Sequence, residues 1–247
     1  MTKITWQSAG LTSRGLVRKD NQDSFHISKD GRAFVVADGV GGYGGGATAS
    51  RLAVETVEEC WDVGAALEAG DVETWMRETT AEANRRIIDT AQSDAALENM
   101  GTTIVLAVID KGGHLHIGHA GDSRAVLVRD NQLKMLTIDH SMVMEMHMRG
   151  QITLEQLRNS IYKHLITRCL GHDEQVEIDY AKFDFLPGDC IVLASDGLSD
   201  EMAEEEISAT VSGCIDPNVV CKKLMDTVLE RGARDNTTIV AVTRASI

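Results

Sequence analysis

The chain reads as an α+β fold in which helices pack outside layers of antiparallel sheet. Three observations predict this. Residues 102–137 hold strand-like apolar runs joined by turns too short for a crossover, which requires antiparallel pairing. Two segments, 47–61 and about 71–91, carry apolar residues at helical spacing. Helices and strands are grouped rather than strictly alternating, which separates α+β from α/β chains.

In order along the chain, residues up to about 45 read as short strands and glycine-rich turns. In 47–61, Ala49, Leu52, Ala53, Val57, Cys60 and Trp61 share one helical face. The second helix, from about Asp71 to Ala91, has Val72, Trp75, Met76, Ala83, Ile87 and Ala91 as its stripe, with Asp71 as N-cap. A four-strand meander follows at 102–109, 115–120, 125–129 and 133–136, with turns at Asp110-Lys111-Gly112-Gly113 and Asp130-Asn131. Residues 141–162 are rich in methionine and charge and lack a strand pattern, so they read as short helices in an insert. Strands resume at 177–185 and 190–194, split by Leu186-Pro187-Gly188-Asp189. Residues 203–211 look helical. Asp216-Pro217 opens a helix with stripe Val220, Leu224 and Val228 and a stop at Gly232, and 237–243 is the last strand. With no repeat, low-complexity run or linker, one domain over 1–247 is expected.

Bulk properties exclude several classes. The net charge of −14 argues against nucleic acid, whose phosphates are held by excess Lys and Arg. The five cysteines form no C-x-x-C pair and no zinc-type spacing with histidine, which fits free thiols in a reducing compartment. The first ten residues do not form a signal peptide, and no apolar run approaches the ~18 residues of a membrane span. A cytoplasmic, monomeric protein is expected.

Aspartates recur in short motifs beside apolar runs. They are Arg18-Lys19-Asp20-Asn21-Gln22-Asp23, Asp38-Gly39-Val40-Gly41-Gly42, Gly121-Asp122-Ser123-Arg124, Ser195-Asp196-Gly197 and Arg234-Asp235-Asn236. An aspartate at a strand end can face a common cleft. Two such charges ~5 Å apart repel by ~3 kcal/mol at an effective dielectric of ~20. A cluster therefore calls for cations, and an all-oxygen donor set selects Mg²⁺ or Mn²⁺. Each motif taken alone is also an ordinary turn. The glycine run 41–46 lacks the Lys-Ser/Thr of a Walker loop, and Ser195 is not in a G-x-S-x-G elbow. Nucleotide binding and a covalent serine mechanism are not expected.

With Gly101-Thr102-Thr103, Asp139-His140 and Arg168-Cys169-Leu170-Gly171 added, these motifs stand in the order of the metal-dependent serine/threonine protein phosphatases of type 2C (PPM). The chain resembles the compact bacterial form of that family essentially end to end. The resemblance implies a four-layer α-β-β-α sandwich, two antiparallel sheets flanked by helices, with the site at one end. It implies at least two Mg²⁺ or Mn²⁺ ions held by Asp38, the Gly39 carbonyl, Asp196 and Asp235, and a third held by Asp122 with Asp196. It gives Arg18 the substrate phosphate and Asp23, with Asp38, the catalytic water. Asn236 is expected to organise its loop. The implied reaction is in-line attack on a phosphoserine or phosphothreonine monoester by a metal-bridging water or hydroxide, without a phosphoenzyme. The implied partner is a phosphoprotein, opposing a serine/threonine kinase. Residues 141–165 correspond to a flap-like insert that shapes access.

This chain departs from the pattern in places. Gln22 stands where eukaryotic relatives carry glutamate, and neither Val40 nor Tyr43 supplies the histidine found there in relatives. The proton donor to the leaving group is thus unassigned. His164 reads as a surface or structural histidine that could reach the cleft. A pseudophosphatase that only binds phosphoproteins, a small-molecule phosphomonoesterase and a metal-stabilised structural domain stay open as alternatives.

Overall fold

The computed structural model describes residues 6–42, 44–61 and 72–245. The expected N-cap Asp71, and Tyr43, lie outside these residues. The first sheet orders β1 (Trp6–Ser13), β11 (Thr237–Arg244), β10 (Cys190–Ala194), β7 (Arg124–Arg129) and β8 (Gln132–Met135). The second orders β2 (Asp23–Ile27), β3 (Ala33–Val40), β5 (Ile104–Ile109), β6 (His114–Ala120) and β9 (Asp179–Asp184), with the short β4 (Gly101–Thr102) on β3. Every pairing between these strands is antiparallel.

Period-two alternation decides which side chains go where. On β3, Phe34 and Val36 point between the sheets, while Ala33, Val35 and Ala37 face the helices. On β10, Ile191 and Leu193 point inward, and Cys190, Val192 and Ala194 outward. Helices α1 (Gly45–Cys60) and α2 (Val72–Ser93) cover the second sheet with Ala49, Ala53, Val57, Met76, Ala83 and Ile87. Helices α6 (Glu204–Val211) and α7 (Pro217–Glu230) cover the first with Ile207, Val211, Val220, Leu224 and Val228. The result is the four-layer α-β-β-α sandwich, with three apolar layers between its four tiers. As expected, Asp216 caps α7 and Pro217 occupies its first turn.

Three expectations are corrected. The four-strand meander is not one sheet. Its β5–β6 hairpin belongs to the second sheet and its β7–β8 hairpin to the first, so Gly121-Asp122-Ser123 crosses between the sheets. The expected strand 102–109 is broken at Thr103, because β4 pairs with β3 at Gly39–Val40 and with Leu170 before β5 begins. A helix not expected, α5 (Asp196–Glu201), starts directly after β10. The segment 141–162 does contain short helices, α3 (Met142–Met148) and α4 (Leu154–Arg158), capped by Ser141 and Thr153.

Phe34 is fully buried between the sheets. Phe34→Ala should cost about 3–5 kcal/mol and lower Tm by roughly 10 °C, read from a thermal melt.

Candidate active site

The two sheets place carboxylates at one end of the sandwich. Asp38 continues the inward face of Phe34 and Val36, and Asp23 sits directly opposite it across the β2–β3 ladder. Ser195 and Asp196 follow β10, Asp235 and Asn236 precede β11, and Asp122 lies in the crossing after β6. Arg18, Asp38, Gly39, Asp122, Asp196 and Asp235 all line one cleft of about 720 Å³. Asp23 lies buried beneath it.

The backbone that carries Asp38 is tightly held. Its N–H donates to Thr103 Oγ1 (3.0 Å), and its carbonyl accepts from the Thr103 N–H and Thr102 Oγ1, each at 2.8 Å. Thr103 Oγ1 also meets Ser123 Oγ at 2.7 Å, which joins the Asp38 and Asp122 segments. The Gly101-Thr102-Thr103 motif is thus a clamp. Leu170 pairs with Thr102 in both directions, so Arg168-Cys169-Leu170-Gly171 braces the clamp from behind. Glycine is required at 39, since a Cβ there would lie 2.1 Å from the Gly46 carbonyl oxygen. At Gly121, φ is +111° and a Cβ would strike Thr103. His140 pairs reciprocally with Gly121. Its N–H donates to the Gly121 carbonyl (3.0 Å), and its Nδ1 accepts from the Gly121 N–H (3.1 Å). Asp139 holds Arg124 in a bidentate pair.

Asn236 organises its loop as expected. Its Oδ1 accepts from the Gln22 N–H, and its Nδ2 donates to the Arg14 and Asp20 carbonyls, all at 2.9 Å. Ser195 Oγ donates to Asp23 Oδ2 (2.7 Å) and accepts from the Thr238 N–H (2.9 Å). Asp23 Oδ1 is buried with no partner.

Electrostatics show unmet negative charge. Burial, then Asp23, Asp196, Asp122 and Asp235, hold the Asp38 carboxyl well above the usual range. Burial, then the charges of Asp196 and Asp139, push Asp122 up to about 7. Burial pushes Asp23 up to about 6 against its hydrogen bond from Ser195. The chain's own cations answer part of this charge. Arg18 lies 2.5 Å from Asp235, which raises its own pKa. Lys163 Nζ lies 2.7 Å from Asp200, and His164 Nδ1 lies 3.2 Å from Asp196. The hydrogen bond to Asp196 raises the pKa of His164 against burial.

Sequence reasoning missed part of this arrangement. His164 lines the cleft rather than an unrelated surface. Asp200 and Lys163 were not singled out, although Asp200 lies four residues beyond Asp196 on α5 and so shares its face. A separate group, His119, His140 and Asp179, is tied to Gly121 through His140. Its geometry argues against metal ligation. His119 Nε2 lies 2.8 Å from the Ile138 carbonyl, and His140 Nδ1 already accepts a hydrogen bond from the Gly121 N–H, so the neutral His140 ring carries its hydrogen on Nε2.

The fold and cleft define an α-β-β-α sandwich whose carboxylate-lined site is suited to gathering cations. The family model of protein phosphatase 2C matches residues 12–233. The chain is 35% identical to the serine/threonine phosphatase stp of Listeria welshimeri over 237 residues, 94% of each chain. It superposes on the crystal structure of the Mycobacterium tuberculosis serine/threonine phosphatase PstP/Ppp with a TM-score of 0.90, at 30% identity over 98% of this chain and 99% of that one. The PstP catalytic domain solved with 2 manganese ions is similar at a TM-score of 0.84, 30% identity and the same coverage. The chain belongs to the protein phosphatase 2C family.

A raised pKa means that the folded state favours the protonated form. Its stability contribution is present below the unfolded pKa and is lost as pH rises through the folded one. In EDTA at pH 8, Asp122→Asn should therefore be more stable than the wild type. The gap should shrink as pH falls below about 7, in paired denaturant melts.

Proposed function

We propose that the chain is a metal-dependent phosphatase that hydrolyses phosphoserine and phosphothreonine monoesters on proteins. The observation that carries this reading is the convergence of Asp38, Asp122, Asp196 and Asp235, from four separate chain segments, on one cleft that also holds Arg18. Family membership and the names of the relatives support it. The donors fit Mg²⁺ or Mn²⁺. All are oxygens, burial and mutual repulsion favour protonation of Asp38, and Asp23 Oδ1 is buried without a donor. Asp38, the Gly39 carbonyl, Asp196 and Asp235 would hold at least two ions, with Asp122 and Asp196 available to a third.

When bound, such cations polarise phosphoryl oxygens and lower the pKa of water. The protein's own residues supply position. Asp38 is locked at its N–H and carbonyl by Thr102 and Thr103, so its carboxylate starts from a fixed backbone. Asp23 keeps Oδ2 on Ser195 and has Oδ1 free to accept a hydrogen bond from the attacking water. Arg18 is exposed and carries a planar fork suited to two phosphate oxygens. With a cation held by Asp235, Arg18 would be free to turn that fork to the substrate phosphate. His164 is the imidazole on the cleft wall, and its raised pKa favours the charged form that can donate a proton to the leaving alkoxide. Direct attack leaves no phosphoenzyme, consistent with Ser195 being buried and engaged at both lone pair and proton.

The segment 141–165 is assigned as a flap over one domain spanning the chain. Its inner side already touches α5 through Lys163 and His164. The physiological setting assigned is a cytoplasmic monomer that opposes a serine/threonine kinase. All five cysteines are free, as a reducing compartment favours. Among the described residues, no helix is long and apolar enough to cross a membrane.

Release of phosphate from a phosphothreonine peptide should require Mn²⁺ or Mg²⁺ and should vanish in EDTA. Asp38→Ala should lower kcat by at least about 10³-fold. Tight Mn²⁺ binding without turnover would replace this reading with a phosphoprotein-binding one. Arg18→Ala should lower kcat/KM by about 10²-fold with Mn²⁺ binding retained, checked by steady-state kinetics beside calorimetry.

A further inference from the structure

Among the described residues, two groups of exposed large apolar side chains stand next in sequence to residues that line the cleft. Ile161 is 83% exposed and Tyr162 55%, with Leu165 close behind. Their position follows from how the turn is fastened. Lys163 and His164 are drawn inward onto Asp200 and Asp196. The Met142 N–H donates to the Leu165 carbonyl, and Ser141 bridges Ile166, which ties the turn's far end to α3. With its two cationic side chains anchored in the cleft, the turn presents its neighbouring apolar ones outward.

A second exposed pair belongs to the loop that carries Arg18. Leu16 and Val17 are each 65% exposed. Arg18 is drawn inward onto Asp235, and the Leu16 N–H is tied to the Ala233 carbonyl. The same design therefore occurs in two chain segments: a cation turned into the cleft, with bulky apolar residues beside it left in water. Isolated exposed apolar residues are ordinary, but a grouped set beside a concave site marks recognition.

The geometry points to these two apolar lips as the docking surface for the substrate segment, selecting an extended phosphorylated chain with apolar residues immediately flanking the phosphoserine or phosphothreonine. This rests on the reading of the cleft as the phosphatase site. The phosphate sits on a short side chain, so catalysis at the cleft floor brings the backbone neighbours of the phosphorylated residue to the mouth. Charge adds a bias against acidic flanks. The protein carries a net −14, so acidic flanking residues are opposed, whereas apolar ones cover Ile161, Tyr162, Leu16 and Val17.

The test uses the full chain with Mn²⁺ and three phosphothreonine peptides that differ only in having leucine, serine or aspartate on both sides of the phosphoresidue. p-Nitrophenyl phosphate, which has no flanking residues, serves as the reference. The leucine peptide should exceed the serine peptide by about tenfold in kcat/KM, carried by KM, with the aspartate peptide lowest. The paired variants Ile161→Ser/Tyr162→Ser and Leu16→Ser/Val17→Ser should each reduce that preference and leave p-nitrophenyl phosphate turnover unchanged. Because each lip is altered separately, a folding failure in one leaves the other to decide. A wild type indifferent to flanking residues, or a preference intact in the folded variants, overturns the docking assignment alone. Turnover of p-nitrophenyl phosphate with none of any phosphopeptide overturns the protein-phosphatase reading and this inference with it.

Discussion

The repulsion among carboxylates gathered at one end of the β-sandwich is the constraint on which the rest of the site depends. Asp23, Asp38, Asp122, Asp196 and Asp235 reach this end from both sheets and from the crossing between them. Burial and mutual charge raise the pKa of the deepest members, so the arrangement is unfavourable by itself. It persists because the framework around it is over-determined. Two complete sheets, three apolar layers and the Thr102–Thr103 clamp hold the backbone in place. The charge is then available to divalent cations.

The same constraint accounts for the basic side chains at the rim. Arg18, Lys163 and His164 each lie on an aspartate of the cluster or beside it. The charge that attracts cations therefore also positions the loop before β2 and the segment after α4. Cleft floor and cleft mouth are coupled electrostatically. In the proposed cycle, exchange of the Arg18–Asp235 contact for substrate phosphate connects charge neutralisation to substrate binding.

Much of the fold was legible because its signals are local. The strand-like runs 115–120 and 190–194, the helical stripe of Met76, Ala83 and Ile87, and Asp216-Pro217 each reported their own element. What sequence could not show was partition. The 7-residue β6 and 6-residue β7 follow each other through a short turn, yet belong to different sheets, because Gly121 at φ +111° redirects the chain. The helix α5 is only 6 residues long and was hidden inside a motif. The candidate site divides the same way. Asp38, Asp122, Asp196 and Asp235 stood out as strand-end aspartates, whereas their company did not. His164 meets Asp196 across 32 positions of sequence, from a segment with no periodicity to place it. The Asp139-His140 and Gly101-Thr102-Thr103 motifs were visible, but their roles as braces for Gly121 and Asp38 are tertiary hydrogen bonds without a sequence signature.

The central claim is that this carboxylate cluster is completed by divalent cations. The most direct measurement is the number of Mn²⁺ ions bound per chain, by equilibrium dialysis near neutral pH, with a thermal melt of each sample. Two or more ions per chain, accompanied by a rise in Tm, is the expected result. A chain that binds none at millimolar Mn²⁺, with a melt identical in Mn²⁺ and EDTA, would contradict the account.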